Sequence, residues 1–128
     1  MTIQLDHTIV AAHDKITTAT WVADILDLTV SPPYGPFLPV QTHNGVNLDF
    51  VDSNDVVPQH YAFLVSEDEF DVIFGRLQYR GITYYADPRH TRPGEINRQD
   101  GGRGLYFDDP NGHNLEIITR PYGSGTTQ

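Results

Sequence analysis

Apolar and polar positions alternate along this chain in two rhythms, and the pair of rhythms comes twice. Residues 5–11, closing on the apolar run Ile9, Val10 and Ala11, read as a strand. Asp14 then stands where a helix cap belongs, ahead of Ile16, Ala19, Ala23 and Leu26 at helical spacing. Segments 37–43 and 46–52 return to strand rhythm on either side of Asn44-Gly45, a dipeptide that favours a tight hairpin. The second half repeats the order. A strand is predicted at 59–65, and Ser66 and Glu69 form a capping box for a helix with Phe70, Ile73, Phe74 and Leu77 on one face. Gly81 is placed to end that helix. Strands are predicted at 82–86, 103–107 and 113–119, the last two joined by the turn DDPNG.

The halves also share letters. GVNLDFV (45–51) matches GHNLEII (112–118) at glycine, asparagine, leucine, the following acid and two apolar positions, with an offset of 67. HTIVAAHDK from His7 and HYAFLVSED from His60 share a histidine, an extended apolar run and a polar helix start, with an offset of 53. The second copy is therefore 14 residues longer, and the Pro-, Gly- and charge-rich segment 86–104 accommodates them. The expected fold is α+β: two βαβββ modules, about 1–53 and 57–122, forming a curved mixed sheet around a central cleft within one domain, 1–122. The tail 123–128 reads as disordered.

Strand alternation assigns faces. Leu48 and Phe50 point one way and Asn47, Asp49 and Val51 the other; Leu115 and Ile117 oppose Asn114, Glu116 and Ile118. With the leucine faces under the helices, each acid falls on the concave side. His7, Asp49, His60 and Glu116 then occupy matching positions, and a pseudo-twofold pairing would bring all four towards one point. Two imidazoles and a carboxylate are a donor set for Fe, Mn, Ni or Zn. Asp49 is one methylene shorter than Glu116, so its roles stay open among ligation, proton transfer from substrate, holding water and internal hydrogen bonding. His13, His43, His90 and His113 fall at helix starts, turns or loops, where exposed polar roles suffice for them.

Composition narrows the class. At 38% hydrophobic and 20% charged, 128 residues describe a folded chain, neither disordered nor membranous. The N-terminal stretch lacks the basic start and apolar run of a signal peptide, and no segment is long enough to span a bilayer. Cysteine is absent, which suits a reducing cytoplasm, the expected location. A net charge of −9 argues against nucleic acid as a partner. Against that acidity, Arg89, Arg92, Arg98 and Arg103 cluster within one loop, where they either attract an anionic ligand or pair with nearby carboxylates.

GLYFDDPNGHNLEII, LDHTIVA and QHYAFLV together resemble the vicinal oxygen chelate superfamily, over roughly residues 5–120. That superfamily includes glyoxalase I, bleomycin-resistance proteins, fosfomycin-resistance enzymes, methylmalonyl-CoA epimerase and extradiol dioxygenases. The resemblance implies metal ligation by His7, His60 and Glu116, with Asp49 where glyoxalase I and the epimerase place a glutamate. Fosfomycin enzymes use the three-ligand version and are similar to this chain also at Tyr106.

Two functional classes follow. In the first, a divalent metal binds two adjacent oxygens of a small organic substrate, and Asp49 or Glu116 moves a proton beside a carbonyl, as a lyase or isomerase would require. Oxygen-dependent ring opening is the variant if the metal is Fe(II). In the second, the chain sequesters an aromatic natural product without catalysis, as bleomycin-resistance proteins do. Trp21, Tyr34 and Tyr106 are then candidates for stacking on the ligand, with Arg103 as a polar contact, although strand packing is the ordinary role of such aromatics. Exposed sheet edges in a chain of this kind predict a homodimer.

Overall fold

A computed structural model describes residues 2–125, and the chain divides into two compact units, Met1–Val57 and Pro58–Gln128. The first contains β1 (His7–Ala12), α1 (Lys15–Leu26), β2 (Leu38–Gln41) and β3 (Asn47–Asp52). The second contains β4 (His60–Leu64), α2 (Glu67–Tyr79), β5 (Gly104–Asp108) and β6 (Asn114–Ile118), with a short 3-10 turn at Gln99–Gly101. Each unit holds one mixed three-stranded sheet, in the orders β1-β3-β2 and β4-β6-β5. In both, the first strand runs parallel to the last and the last two are antiparallel.

Local chemistry explains the element ends. The Asp14 side chain accepts from the Ile16 and Thr17 amides and starts α1. Ser66 and Glu69 cap α2 reciprocally. At the other end of α2, Gly81 takes a left-handed φ of 67°, while the Gly81 and Ile82 amides reach back to Gln78 and Leu77. This is a Schellman ending. The two hairpins are built alike. Thr42 pairs with Val46 and Asp109 with His113 across three-residue loops, with Gly45 (φ 87°) and Gly112 (φ 88°) at the left-handed position. The first turn is therefore one residue longer than Asn44-Gly45 alone predicts.

The strand expected at 82–86 shrinks to an isolated bridge, Tyr85 to Tyr106, and the first unit carries a matching bridge from Val30 to Val40 for which no strand was predicted. Pro32, Pro33 and Pro36 follow Val30, and Pro88 and Pro93 follow Tyr85. Proline cannot donate to a ladder, so neither bridge extends. On α1, Thr18, Ala19, Val22, Ala23, Ile25 and Leu26 are buried, whereas Ile16 is 64% exposed. Ile16 lies in the first turn, beyond the sheet that the rest of the stripe covers. Residues 123–125 depart from the disorder expected of the tail: the Gly123 and Gly125 amides both donate to the Asp100 carboxylate. The remainder of that expectation, at 126–128, lies outside the described residues.

The cores fix which sheet faces stay free. In the first unit α1 packs on all three strands, over Val10, Ala12, Val40, Leu48 and Phe50. His7, Ile9, Asn47 and Asp49 lie on the other face. In the second unit Arg103 shares the parity of Leu105 and Phe107, and its guanidinium lies 4.4 Å over the Phe70 ring of α2. That places α2 on the face of Leu105, Phe107, Leu115 and Ile117, and leaves Tyr106 and Glu116 on the opposite one.

Candidate functional site

The second unit gathers a compact set of polar side chains on its free face. The register pairs His60 with Asn114, and Ala62 and Tyr106 with Glu116, so one side of three strands carries His60, Tyr106 and Glu116 together. His60 Nε2 lies 3.1 Å from Glu116 Oε1, and the His60 and Tyr106 rings stack with centroids 5.8 Å apart. Glu116 is only 9% exposed. Burial pushes the Tyr106 phenol well above the ordinary tyrosine range, and the neighbouring Glu116 carboxylate adds to the shift. The phenol therefore stays protonated, hydrogen-bonds with that carboxylate and steadies it.

The decisive detail is the other edge of the His60 ring. Nδ1 lies 2.9 Å from the Asn114 carbonyl oxygen, which can only accept. Nδ1 must then carry the ring's hydrogen, and a neutral ring presents a bare Nε2 lone pair to the Glu116 carboxylate. Two acceptors that face one another at this distance offer a cation a place between them. A metal-binding histidine is held in this way, with its far nitrogen donating to a backbone carbonyl. The donors fit a divalent metal.

The first unit offers a looser arrangement. His7 stands at the start of β1 with Nδ1 2.7 Å from Asp6 Oδ2, and its side chain is 54% exposed. The hydrogen bond to Asp6 raises its pKa above the ordinary histidine value, with smaller help from the charge of Asp49. Asp49 shares the free face with His7 and pairs with Pro39 where Glu116 pairs with Tyr106, so it has no phenol beside it. Among the described residues, no group of three or more His, Cys, Asp or Glu side chains is close enough to hold a metal ion.

The remaining candidates sit elsewhere. Trp21 is on α1, on the helix side of its sheet rather than the face of Asp49. Tyr34 is 76% exposed in the turn that it closes with Phe37. Arg103 does not join the His60–Glu116 cluster: its guanidinium pairs with Glu67 and Asp71 at 2.8 and 2.9 Å on the α2 face. Its charge is spent on attaching that helix. His113, for which an exposed role was expected, is buried, and its Nδ1 accepts from the Gln59 amide. Sequence reasoning passed over Asn114 and His90 as parts of the site. The asparagine repeated in GVNLDFV and GHNLEII was a signal for Asn114; the loop sequence held none for His90.

No family model matches the chain. A solved structure of "Oxidase ChaP-H2" is 69% identical, covering 98% of this chain and all of that one, with a TM-score of 0.95. "Oxidase ChaP-H1" is 57% identical over 95% of this chain and 99% of its own, with a TM-score of 0.92. Among curated proteins, "Glutathione transferase FosA" of Serratia marcescens is 29% identical over 121 residues, 88% of this chain and 78% of that protein.

Proposed function

The chain belongs to the vicinal oxygen chelate superfamily, and from that premise we propose that it is a metal-dependent oxidase of a small organic substrate. The observation that carries the reading is the His60 ring, fixed by Asn114 so that Nε2 faces the Glu116 carboxylate at 3.1 Å. His60 and Glu116 are two of the ligands in this proposal, and His7 is the third. The two relatives named oxidases match the chain almost end to end, which favours oxidation over the lyase or isomerase chemistry that the donor set alone put first.

Bound there, a divalent metal would supply Lewis acidity and, if it is iron or manganese rather than zinc, the capacity to pass electrons to dioxygen. The chain's own groups do the rest. Glu116 and His60 would fix the position of the ion, and the protonated Tyr106 would hold the carboxylate through its single O–H. Asp49 is the proposed acceptor for a substrate proton, since it is a carboxylate on a free sheet face with no phenol of its own. Sequestration without catalysis is the competing reading. A second copy of the chain is the proposed partner, because β1 and β4 each lie at a sheet edge with Ile9 and Leu64 exposed.

The test is anaerobic titration of tag-free protein with Fe(II) and Mn(II), followed by oxygen uptake with catechol as a probe carrying two adjacent oxygens. One metal per chain is expected, and His60→Ala should abolish both binding and uptake. A wild-type chain that takes up neither ion would remove the metal reading, and tight catechol binding without metal would favour sequestration.

A further inference from the structure

We propose that His90, in the segment that makes the second copy longer, is a positioning residue: acting through Asn114, it holds the His60 ring so that Nε2 faces Glu116. The inference rests on the metal reading above and adds to it a device for keeping one ligand in one tautomer.

The segment is stapled close to the sheet. Asp87 accepts from the Thr91 and Arg92 amides, each at 2.9 Å, and from the Thr91 hydroxyl at 2.6 Å. Within these contacts His90 takes a left-handed φ of 61°, uncommon for a residue with a side chain. Its ring then lies flat on Tyr85, with centroids 3.9 Å apart and planes within 4°. Tyr85 in turn exchanges two backbone hydrogen bonds of 2.8 Å with Tyr106, the neighbour of Glu116.

Asn114 joins this segment to the site. Its amide nitrogen donates to the Pro88 carbonyl at 3.2 Å, which leaves Oδ1 facing His90 Nε2 at 3.0 Å. Oδ1 can only accept, so His90 is protonated on Nε2. The backbone carbonyl of the same asparagine accepts from His60 Nδ1 at 2.9 Å. One residue thus sets opposite tautomers in two histidines. The arrangement has a purpose because Asn114 and His60 are the first residues of β6 and β4. Strand ends are where a peptide plane is least constrained, and a carbonyl free to tilt would let the ring turn. Gripping the Asn114 side chain from two points in the loop fixes that peptide.

The loop would serve a purely structural end if His90 only sealed it, and two substitutions separate these roles. His90→Phe keeps an aromatic ring on Tyr85 and removes the donor. His90→Gln keeps a donor and removes the ring. In metal-free protein labelled with nitrogen-15 at histidine, at mildly alkaline pH, His60 should be the Nδ1–H tautomer in the wild type. His90→Phe should yield a mixture at His60 and weaken Mn(II) binding by about tenfold, the usual scale for groups that orient a ligand. His90→Gln should recover most of both. An unchanged His60 tautomer and a Mn(II) affinity within about twofold in a folded His90→Phe protein would overturn the proposal. If that variant does not fold, Asn114→Ser reads the same tautomer, since it keeps the carbonyl and drops the amide that His90 grips. Failure of the wild type to bind Mn(II) would count against the metal reading, whereas the tautomer measurement judges His90 by itself.

Discussion

His7 and His60 open equivalent strands, yet the chain treats them differently. His60 is held at Nδ1 by the Asn114 carbonyl, with Nε2 facing the Glu116 carboxylate and Tyr106 stacked on its face. His7 Nδ1 is tethered to its exposed neighbour Asp6. The acids diverge in the same sense: Glu116 is buried beside a phenol, while Asp49 is half-buried and faces Pro39 across the strands. The two units therefore share one frame, and the rigid polar chemistry lies in the second. In the metal reading proposed above, a stiff His60–Glu116 pair would hold the ion while leaving coordination positions open.

The comparison breaks most clearly at the acids. Glu116→Gln keeps shape and removes charge, and it should weaken Fe(II) or Mn(II) binding by about 100-fold or more, beyond the usual effect of groups behind the ligands. Asp49→Asn, the equivalent change in the first unit, should leave metal affinity within about threefold and act on turnover instead. Paired calorimetric titrations decide this. Equal losses in the two variants would make the units symmetric donors and end the asymmetry argued here.

A second difference concerns how each helix is attached. α1 has no acidic residue in its first turn, whereas Arg103 links β5 to Glu67 and Asp71 of α2 and covers Phe70. The register places Pro36 at the position in the first unit equivalent to Arg103. Arg103→Ala should therefore destabilise the second unit by about 1–2 kcal/mol, mostly from packing and cation–π contact, because its partners are exposed and screened. The melting temperature should fall by about 5 °C. No change on melting would mean that the ion pairs and the stacking contribute nothing to stability.

These contrasts also explain what could be read from the sequence. Both hairpin turns, the Asp14 and Ser66 caps and the Gly81 ending depend on residues within a few positions of one another, and such rules are written in the chain itself. The repeated frame likewise put His60 and Glu116 on one face. The bridge at Val30 and the shortening of 82–86 to Tyr85 were not legible, because both depend on where prolines stop the ladder. Membership of a basic cluster left Arg103 open between an anionic ligand and nearby carboxylates, and its parity with Leu105 and Phe107 directs it to the carboxylates of α2. The link from His90 through Asn114 to His60 joins residues 24 and 54 positions apart by side-chain geometry alone.

The smallest effect separates the loop from the hairpin. The Thr91 hydroxyl and amide, then the Arg92 amide and charge, hold the Asp87 carboxyl below its ordinary value of 3.8. A depressed carboxyl pKa stabilises the fold fully above that ordinary value, and the contribution is lost as pH falls through the lower, folded value. The 87–92 turn should therefore loosen only below about pH 3.8. In the first unit the Thr42 hydroxyl accepts from the Val46 amide, and a hydroxyl does not titrate in this range, so that amide serves as an internal reference. Hydrogen exchange during acid titration should show Thr91 and Arg92 losing protection before Val46. Asp87→Asn should bring the Thr91 and Arg92 transitions back into line with Val46. If all three amides lose protection together in the wild type, the carboxylate is not what closes the turn, and the grip of the loop on Asn114 must come from the Tyr85–His90 stack instead.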